Sequence, residues 1–404
     1  MTSSTGISES GGVASVTVAI VFTAYMAVVF GLGLYLFSLL ASEMRQSLGF
    51  GTGTIGVVTA AAQISFLVAA FLCPRLTARL GEGRVIVLAV VAAGLILSAI
   101  STVGSAVTMG ILVGSLGACA AFMVIPTVGV ISRTVSLPHR SRVNGLVSSG
   151  TAYGQFAAGW VAPMLVVGEG WRSVWLVLGI ASVVVAVAGF FVLKALAPSA
   201  FAEETRQSED DSVSSGARLL TRTNLTVWGL LAASGMACGP WQNYLSTFLG
   251  EEHGLSITFV GRLWSIIGLL GLFSGFALGL LADRIGIKRA LALSYGLLAA
   301  SAILIAVHDG TSFLYGATIL FGLSFFAVYG LAPAYITKTM PAGRTTAVFA
   351  GANICLGVGT ALGNLGGGYT PALTGSLQTV YFCVALIAVV AASAVALLPR
   401  EPSE

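Results

Sequence analysis

Arg262 is a basic side chain inside an otherwise apolar stretch of this 404-residue sequence, and it offers the clearest binding chemistry. It stands about five residues into the apolar run 257–281 and 21 residues before Asp283. Its planar guanidinium could hold a substrate carboxylate through parallel hydrogen bonds. Alternatively, its aliphatic stem could carry the charge outward to lipid headgroups. Both interpretations stay open.

A second candidate is a polar and aromatic cluster in the run 224–249, which reads Gly239-Pro240-Trp241-Gln242-Asn243-Tyr244. Proline removes one intrahelical hydrogen bond, and the preceding glycine permits a local break in the helix. Such a break persists at membrane depth only where protein or a water-filled cavity satisfies the freed backbone groups. We therefore predict that the side chains from Trp241 to Tyr244 bind substrate. The alternative is a belt of aromatic anchors at the outer membrane interface.

Single polar or aromatic side chains inside other apolar runs form a third group of substrate-binding candidates: Tyr25, Tyr35, Gln63, Gln155, Tyr329 and Asn353. A polar group in such a run needs a hydrogen-bond partner. A bond to a neighbouring helix, worth about 0.6 kcal/mol, would explain each of them equally well.

Acidic residues are missing from the interior of every apolar run. All fifteen lie in predicted loops, in the termini or at the edges of runs. A carrier of cations generally needs a buried acid, because an unpaired cation is costly inside the membrane. Because no acid lies inside a run, proton transfer through a carboxylate of the protein is also disfavoured. A protonated weak acid could instead carry its own proton. A neutral or anionic substrate is therefore favoured.

The side chains of catalysis and metal binding form no cluster. His139, His253 and His308 fall in predicted loops or at run edges, and the five cysteines show no metal-type spacing. No nucleotide-binding glycine motif follows a predicted strand. We predict no catalytic residue, no metal site and no cofactor, and we expect no nucleic-acid partner.

The composition indicates which elements position these residues. The chain is 56% apolar and 8% charged, whereas soluble domains contain roughly 25% charged residues. About 20 apolar residues make one membrane-spanning helix. Twelve such runs lie at about 15–40, 54–76, 85–103, 107–132, 143–167, 172–196, 224–249, 257–281, 288–307, 311–337, 345–369 and 374–398. The predicted fold class is an all-α membrane protein with twelve transmembrane helices.

One acidic, serine-containing stretch divides these runs into two sets of six. The predicted organisation is a tail at 1–14, a six-helix bundle at 15–197, a linker at 198–222, a second six-helix bundle at 223–398 and a tail at 399–404. Sixteen of the nineteen basic residues fall on the side of the termini and the linker. Because cytoplasmic loops carry an excess of Lys and Arg, we predict a multi-pass inner-membrane protein with both termini in the cytoplasm.

The two halves also repeat. At an offset of 205 residues, Leu80-Gly81 aligns with Ile285-Gly286, and Ile131-Ser132-Arg133-Thr134 aligns with Ile336-Thr337-Lys338-Thr339. Two matches at one offset indicate duplication of a six-helix unit. Paired repeats in membrane proteins commonly alternate access to a site between them.

The segment Gly279-Leu280-Leu281-Ala282-Asp283-Arg284-Ile285-Gly286-Ile287-Lys288-Arg289-Ala290-Leu291 resembles the loop motif of the major facilitator superfamily. The first-half counterpart has Ala78 where the acid is expected. The resemblance implies a two-bundle transporter with a conformational gate. By that resemblance the gating residues are Asp283, Arg284, Arg289, Arg79 and Arg133.

Subfamily features are fewer. The glycines of the fifth run and Gly170-Trp171-Arg172 resemble monocarboxylate- and oxalate-type porters. The continuation Ser173-Val174-Trp175 is similar to YbfB/YjiJ-like bacterial permeases. The arginine that many proton-linked members carry near the start of the fourth helix is replaced by Val113.

These observations predict a secondary active transporter rather than an enzyme. We expect it to move a small organic anion, a mono- or aromatic carboxylate, by alternating access as a monomer, with protons as a candidate co-substrate. The alternative is an exporter of a neutral hydrophobic compound or drug.

Overall fold

The computed structural model describes residues 5–201, 220–308, 310–339 and 342–399, and within these ranges the chain forms helices and no strand. Residues 1–4 of the predicted first tail, residues 202–219 of the predicted linker and residues 400–404 of the predicted last tail lie outside them. The α-helices are α1 Thr5–Met26, α2 Leu36–Leu48, α3 Thr52–Leu80, α4 Glu82–Ile100, α5 Ala106–Thr134, α6 Arg140–Glu169, α7 Trp171–Leu196, α8 Arg222–Asn243, α9 Leu245–Thr247, α10 Ile257–Ile285, α11 Ile287–Val307, α12 Thr311–Thr339, α13 Ala342–Thr374 and α14 Gln378–Ala394.

Each predicted apolar run coincides with one or more of these helices. Within the described residues, nine helical stretches are long and apolar enough to cross a membrane: Gly12–Leu48, Thr52–Leu80, Glu82–Ile100, Ala106–Thr134, Trp171–Leu196, Ile287–Val307, Thr311–Thr339, Ala347–Thr374 and Gln378–Leu397. The predicted all-α membrane fold is confirmed.

The first run differs from the predicted single helix 15–40. A π-helical segment, Ala27–Leu32, follows α1, and a turn at residues 33–35 separates it from α2. The backbone N–H of Gly33 reaches back five residues to the carbonyl of Val28, at 2.8 Å. This wider turn shifts the hydrogen-bond register locally. With α2, the helical stretch extends as far as Leu48.

The first compact unit comprises Met1–Gly49 and Ile64–Gln207. In it α4 packs between α5 and α7, while α1 packs on α6. Gly154 of α6 lies so close to the backbone of the π-helical segment that a Cβ there would collide with the carbonyl of Ala27. Small residues permit such backbone approach between membrane helices.

The second compact unit comprises Phe50–Gln63 and Ser208–Glu404, so the start of α3 is grouped with α8 to α14. Its closest helix pair is α8 with α13, where a Cβ on Gly359 would collide with the carbonyl of Ala232. The buried hydroxyl of Tyr295 lies 2.7 Å from the Ser234 hydroxyl and donates to the carbonyl of Leu230 at 2.8 Å.

The internal repeat is visible in the backbone. Gly81 precedes α4 with φ 81° and ψ 146°, and Gly286 precedes α11 with φ 90° and ψ 146°. These two residues stand at the offset of 205. Since side chains disfavour positive φ, glycine serves the same turn in both halves.

Candidate functional site

The polar cluster of the run 224–249 lies where the helix is interrupted, but the interruption does not fall at Gly239-Pro240. Pro240 lies inside α8, and the helix ends at Tyr244, whose φ is −100° and ψ −2°. The backbone N–H of Tyr244 still reaches the carbonyl of Pro240 at 3.1 Å, so the helix continues for one turn beyond the proline. The three-residue α9 and the π-helical segment Phe248–Glu252 follow.

Asn243 and Tyr244 are bound to α13. The Asn243 side-chain amide donates to Oδ1 of Asn364 at 2.9 Å, and the Tyr244 hydroxyl donates to the backbone carbonyl of Asn364 at 2.6 Å. All three side chains are buried. These two candidates therefore hold helices together. Asn364 was missed, although it is an amide in an apolar run, the same feature that singled out Asn353.

The start of α3 packs at the same place within the second unit. The Thr52 hydroxyl donates to the carbonyl of Gly368 at 3.1 Å. A Cβ on Gly56 would collide with the carbonyl of Asn364 and would lie 2.8 Å from the Tyr244 hydroxyl. Tyr244 therefore lies where α3, α8 and α13 meet.

Trp241 is fully buried against aromatic rings. Its indole stacks on Phe321 of α12, with centroids 3.7 Å apart and planes 5° from parallel. The hydroxyl of Tyr381 on α14 donates to the backbone carbonyl of Trp241 at 3.3 Å. Its indole nitrogen, in contrast, has no hydrogen-bond partner among the described residues.

Two further side chains of this segment share that property. Gln242 is 1% exposed and Thr247 is 0% exposed. Neither atom of the Gln242 amide, nor the Thr247 hydroxyl, finds a partner in the part of the chain that the structure describes. Ser246, between them, accepts a hydrogen bond from the indole of Trp264 at 3.1 Å. Thr247 was missed because a lone threonine in an apolar run ordinarily bonds to its own helix.

Gln155 in the first unit also has a buried amide without a hydrogen-bond partner among the described residues. It lies on α6 next to Gly154, is fully buried, and both its amide atoms lack partners within the described ranges. Buried polar groups without partners are rare in folded proteins, and each requires an explanation.

The two tyrosines predicted in the first run have different positions. The Tyr25 hydroxyl donates to the carbonyl of Ala186 at 2.8 Å, which ties α1 to α7 inside the first unit. Tyr35 is half-buried and lies at the N-cap of α2, with φ −107° and ψ −21°. Its backbone conformation resembles that of Tyr244 in the second unit.

The remaining uncharged candidates are less buried. Gln63 is half-buried on α3, and Tyr329 is half-buried with its ring 5.0 Å from that of Phe325. Asn353 is exposed, and its amide donates to the carbonyl of Phe349 in its own helix at 2.9 Å. The ring contact of Tyr329 and the hydrogen bond of Asn353 both lie within their own helices.

Arg262 is exposed and lies in the second turn of α10, which begins at Ile257. Exposure of a guanidinium on a membrane helix fits both a solvent-filled cavity and the headgroup region. The two sequence interpretations therefore remain.

Of the predicted gating residues, Arg133 forms an ion pair with an acid of the first unit. Its guanidinium lies 2.6 Å from the carboxylate of Glu82, with 23% and 19% of the two side chains exposed. Asp283, Arg284, Arg289 and Arg79 lie at or near helix ends. The sequence places Glu82 among the loop acids, four residues after Ala78, where the motif expects an acid; the structure places it in the first turn of α4.

Lys288 of the loop motif has a structural contact. Its ammonium donates to the carbonyls of Ala396 at 2.9 Å and Leu398 at 2.5 Å. These carbonyls lie at the C-terminal end of the helical stretch Gln378–Leu397, where the helix dipole stabilises a cation.

A cavity of about 450 Å³ opens elsewhere in the first unit. It is lined by Glu43, Gln46, Ser47, Glu169, Gly170, Trp171 and Arg172. None of the predicted substrate-binding residues lines it.

Comparison with known proteins identifies a matching protein family. The sequence profile of the Major Facilitator Superfamily matches residues 21–364. A search of curated proteins found no match.

Solved structures resemble the fold. A bacterial homolog of the human lysosomal transporter Spinster, in an inward-facing and occupied conformation, is 15% identical, covers 95% of both chains and has a TM-score of 0.73. The nucleoside transporter NupG is 17% identical, the match covers 95% of this chain and 98% of that one, and the TM-score is 0.71.

Proposed function

The chain belongs to the major facilitator superfamily and is a multi-pass membrane transporter, and on that basis we propose that it moves a small organic anion, a mono- or aromatic carboxylate, by alternating access. Its sequence resembles monocarboxylate- and oxalate-type porters and YbfB/YjiJ-like permeases, but this resemblance alone does not identify a substrate. Protons are the proposed co-substrate.

One observation carries this proposal: the buried polar side chains of the described residues are all uncharged. They belong to serine, threonine, asparagine, glutamine, tyrosine and tryptophan. A buried carboxylate, which a cation carrier would need, does not occur among them. Hydroxyl and amide donors can bind an acid group without one.

The test is uptake into proteoliposomes that contain the purified protein. We expect radiolabelled lactate to enter faster than into protein-free liposomes, and to enter faster still when the outside is more acidic. Radiolabelled tetraphenylphosphonium, a hydrophobic cation, should enter at the protein-free rate. Protein-dependent transport of the cation alone would contradict the proposal.

An exporter of a neutral hydrophobic compound is the second candidate. It is favoured by a run of ring contacts on α12, where Phe321 stacks on Trp241 and on Phe325, and Phe325 contacts Tyr329. Extrusion of a neutral dye in the same vesicles, without lactate uptake, would favour this alternative.

The proposed location is the inner membrane, with both termini cytoplasmic and the protein a monomer. The support is the placement of sixteen of nineteen basic residues on one side. A reporter protein that is active only in the cytoplasm should be active when it is fused to either terminus.

A further inference from the structure

We propose that Gln242 binds the substrate as a protonated carboxylic acid, through a pair of hydrogen bonds between the amide and the acid. This inference rests on the proposed function and adds the chemical form in which the substrate is bound.

The Gln242 amide has one unused acceptor and one unused donor group. Both atoms are buried, and neither has a partner in the described ranges. Leaving such a group unpaired costs free energy comparable to its lost hydrogen bonds. A ligand that satisfies it must therefore offer both an acceptor and a donor.

A protonated carboxyl group presents that combination on one edge. Its carbonyl oxygen accepts from the amide nitrogen, and its O–H donates to the amide oxygen. An ionised carboxylate has acceptors only, so it would leave the oxygen of Gln242 unpaired.

The charge of the surroundings favours the same form. The buried polar side chains of the described residues are all uncharged. An ion taken out of water without a partner is costly, and a titratable group in that position takes up or releases a proton instead. A substrate bound beside Gln242 is therefore expected to be neutral.

Two residues close to Gln242 in the sequence share its unpaired state and are proposed as parts of the same subsite. The Trp241 indole nitrogen and the Thr247 hydroxyl are buried, and neither has a hydrogen-bond partner among the residues that the structure describes. Asn243, Tyr244 and Ser246, which lie between them, are already hydrogen-bonded. The free groups can bind further oxygens of the substrate.

The proton needs no carrier in the protein. The substrate takes it from water on the side of entry, holds it in its own O–H bond and returns it to water on release. No side chain changes its charge in this cycle.

Calorimetric titration of the purified protein with benzoate tests the proposal, because heats measured in buffers of different ionisation enthalpy count the protons taken up. We expect one proton per benzoate, and competition by benzamide, which presents the same acceptor and donor. Methyl benzoate, which has no donor, should not compete. Binding without proton uptake would overturn the proposal.

Gln242→Leu removes both hydrogen bonds and should raise the Kd for benzoate about twentyfold. Gln378→Leu is the matched control, because that glutamine already donates to the carbonyl of Ala306 at 2.7 Å. It should leave the Kd unchanged. Thr247→Val should weaken binding severalfold, and Thr247→Ser should restore it.

The outcomes separate the two claims. Wild-type protein that neither binds benzoate nor takes up lactate would remove the proposed function. Wild-type binding that Gln242→Leu does not alter, in a variant with an unchanged melting temperature, would overturn this inference and leave the transporter of carboxylates in place.

Discussion

The carboxylate of Glu82, in the first turn of α4, lies 2.6 Å from the guanidinium of Arg133, in the last turn of α5. Glu82 stands four residues after Ala78, the position at which the loop motif expects an acid, on the other side of the turn at Gly81. Gly129 makes room for it, since a Cβ there would collide with the Glu82 carboxylate.

Exchanging the charges tests whether this pair matters for transport. We expect Glu82→Arg alone to slow lactate uptake severalfold, because two half-buried cations then face each other, and to lower the free energy of unfolding by about 1–3 kcal/mol. Glu82→Arg with Arg133→Glu should recover most of both losses. If the double variant takes up lactate no faster than Glu82→Arg alone, the pair is incidental to transport.

Gly129→Ala should act through the same pair. The added methyl displaces the end of the flexible Glu82 side chain from its place beside Arg133, so lactate uptake should fall, with little loss of stability. Gly145→Ala on α6, where a Cβ meets nothing within 4 Å, is the control. Its melting temperature should hold or rise slightly, as expected for alanine in a helix.

Asn364→Ala should destabilise the second unit. The substitution removes the Oδ1 atom that accepts a hydrogen bond from the buried amide of Asn243, at a cost of about 1–3 kcal/mol. Thermal unfolding in detergent measures it. Asn353→Ala, which removes an exposed amide bonded to its own helix, should change the melting temperature far less; equal losses would refute the role of Asn364.

Asp283→Asn tests the proposed gate in the second half. Asp283 is exposed at the end of α10, next to the turn at Gly286. We expect slower turnover with normal membrane insertion and an unchanged Kd for benzoate. Normal turnover would limit this loop to anchoring at the membrane surface.

Arg262→Lys distinguishes the two interpretations of the exposed arginine. A headgroup anchor keeps its charge and its flexible stem in lysine, so the KM for lactate should stay within about twofold. A rise of tenfold or more would place the planar guanidinium on the substrate.

Much of the fold followed from local physical chemistry. Hydropathy located the helices because a membrane span needs a long apolar run wherever it packs. The repeat was readable because Gly81 and Gly286 serve a backbone conformation that other residues avoid. The break at Tyr244 was displaced by one turn, since the helix tolerates Pro240 as long as the following N–H groups find carbonyls.

The site was harder to predict because it depends on which helices touch. Asn243 and Tyr244 read as ligands until α13 placed Asn364 against them. Gln242 and Asn243 are adjacent and chemically alike, yet only the latter meets a partner among the described residues. Glu82 was indistinguishable from other loop acids before α4 and α5 were packed side by side.

The uncharged interior has an electrical consequence. A membrane potential acts on charge, at about 2.3 kcal/mol per elementary charge for every 100 mV. The buried side chains of the described residues give it nothing to act on, and a substrate that crosses with its own proton adds nothing. Accumulation would then follow the difference in acidity across the membrane and be indifferent to voltage.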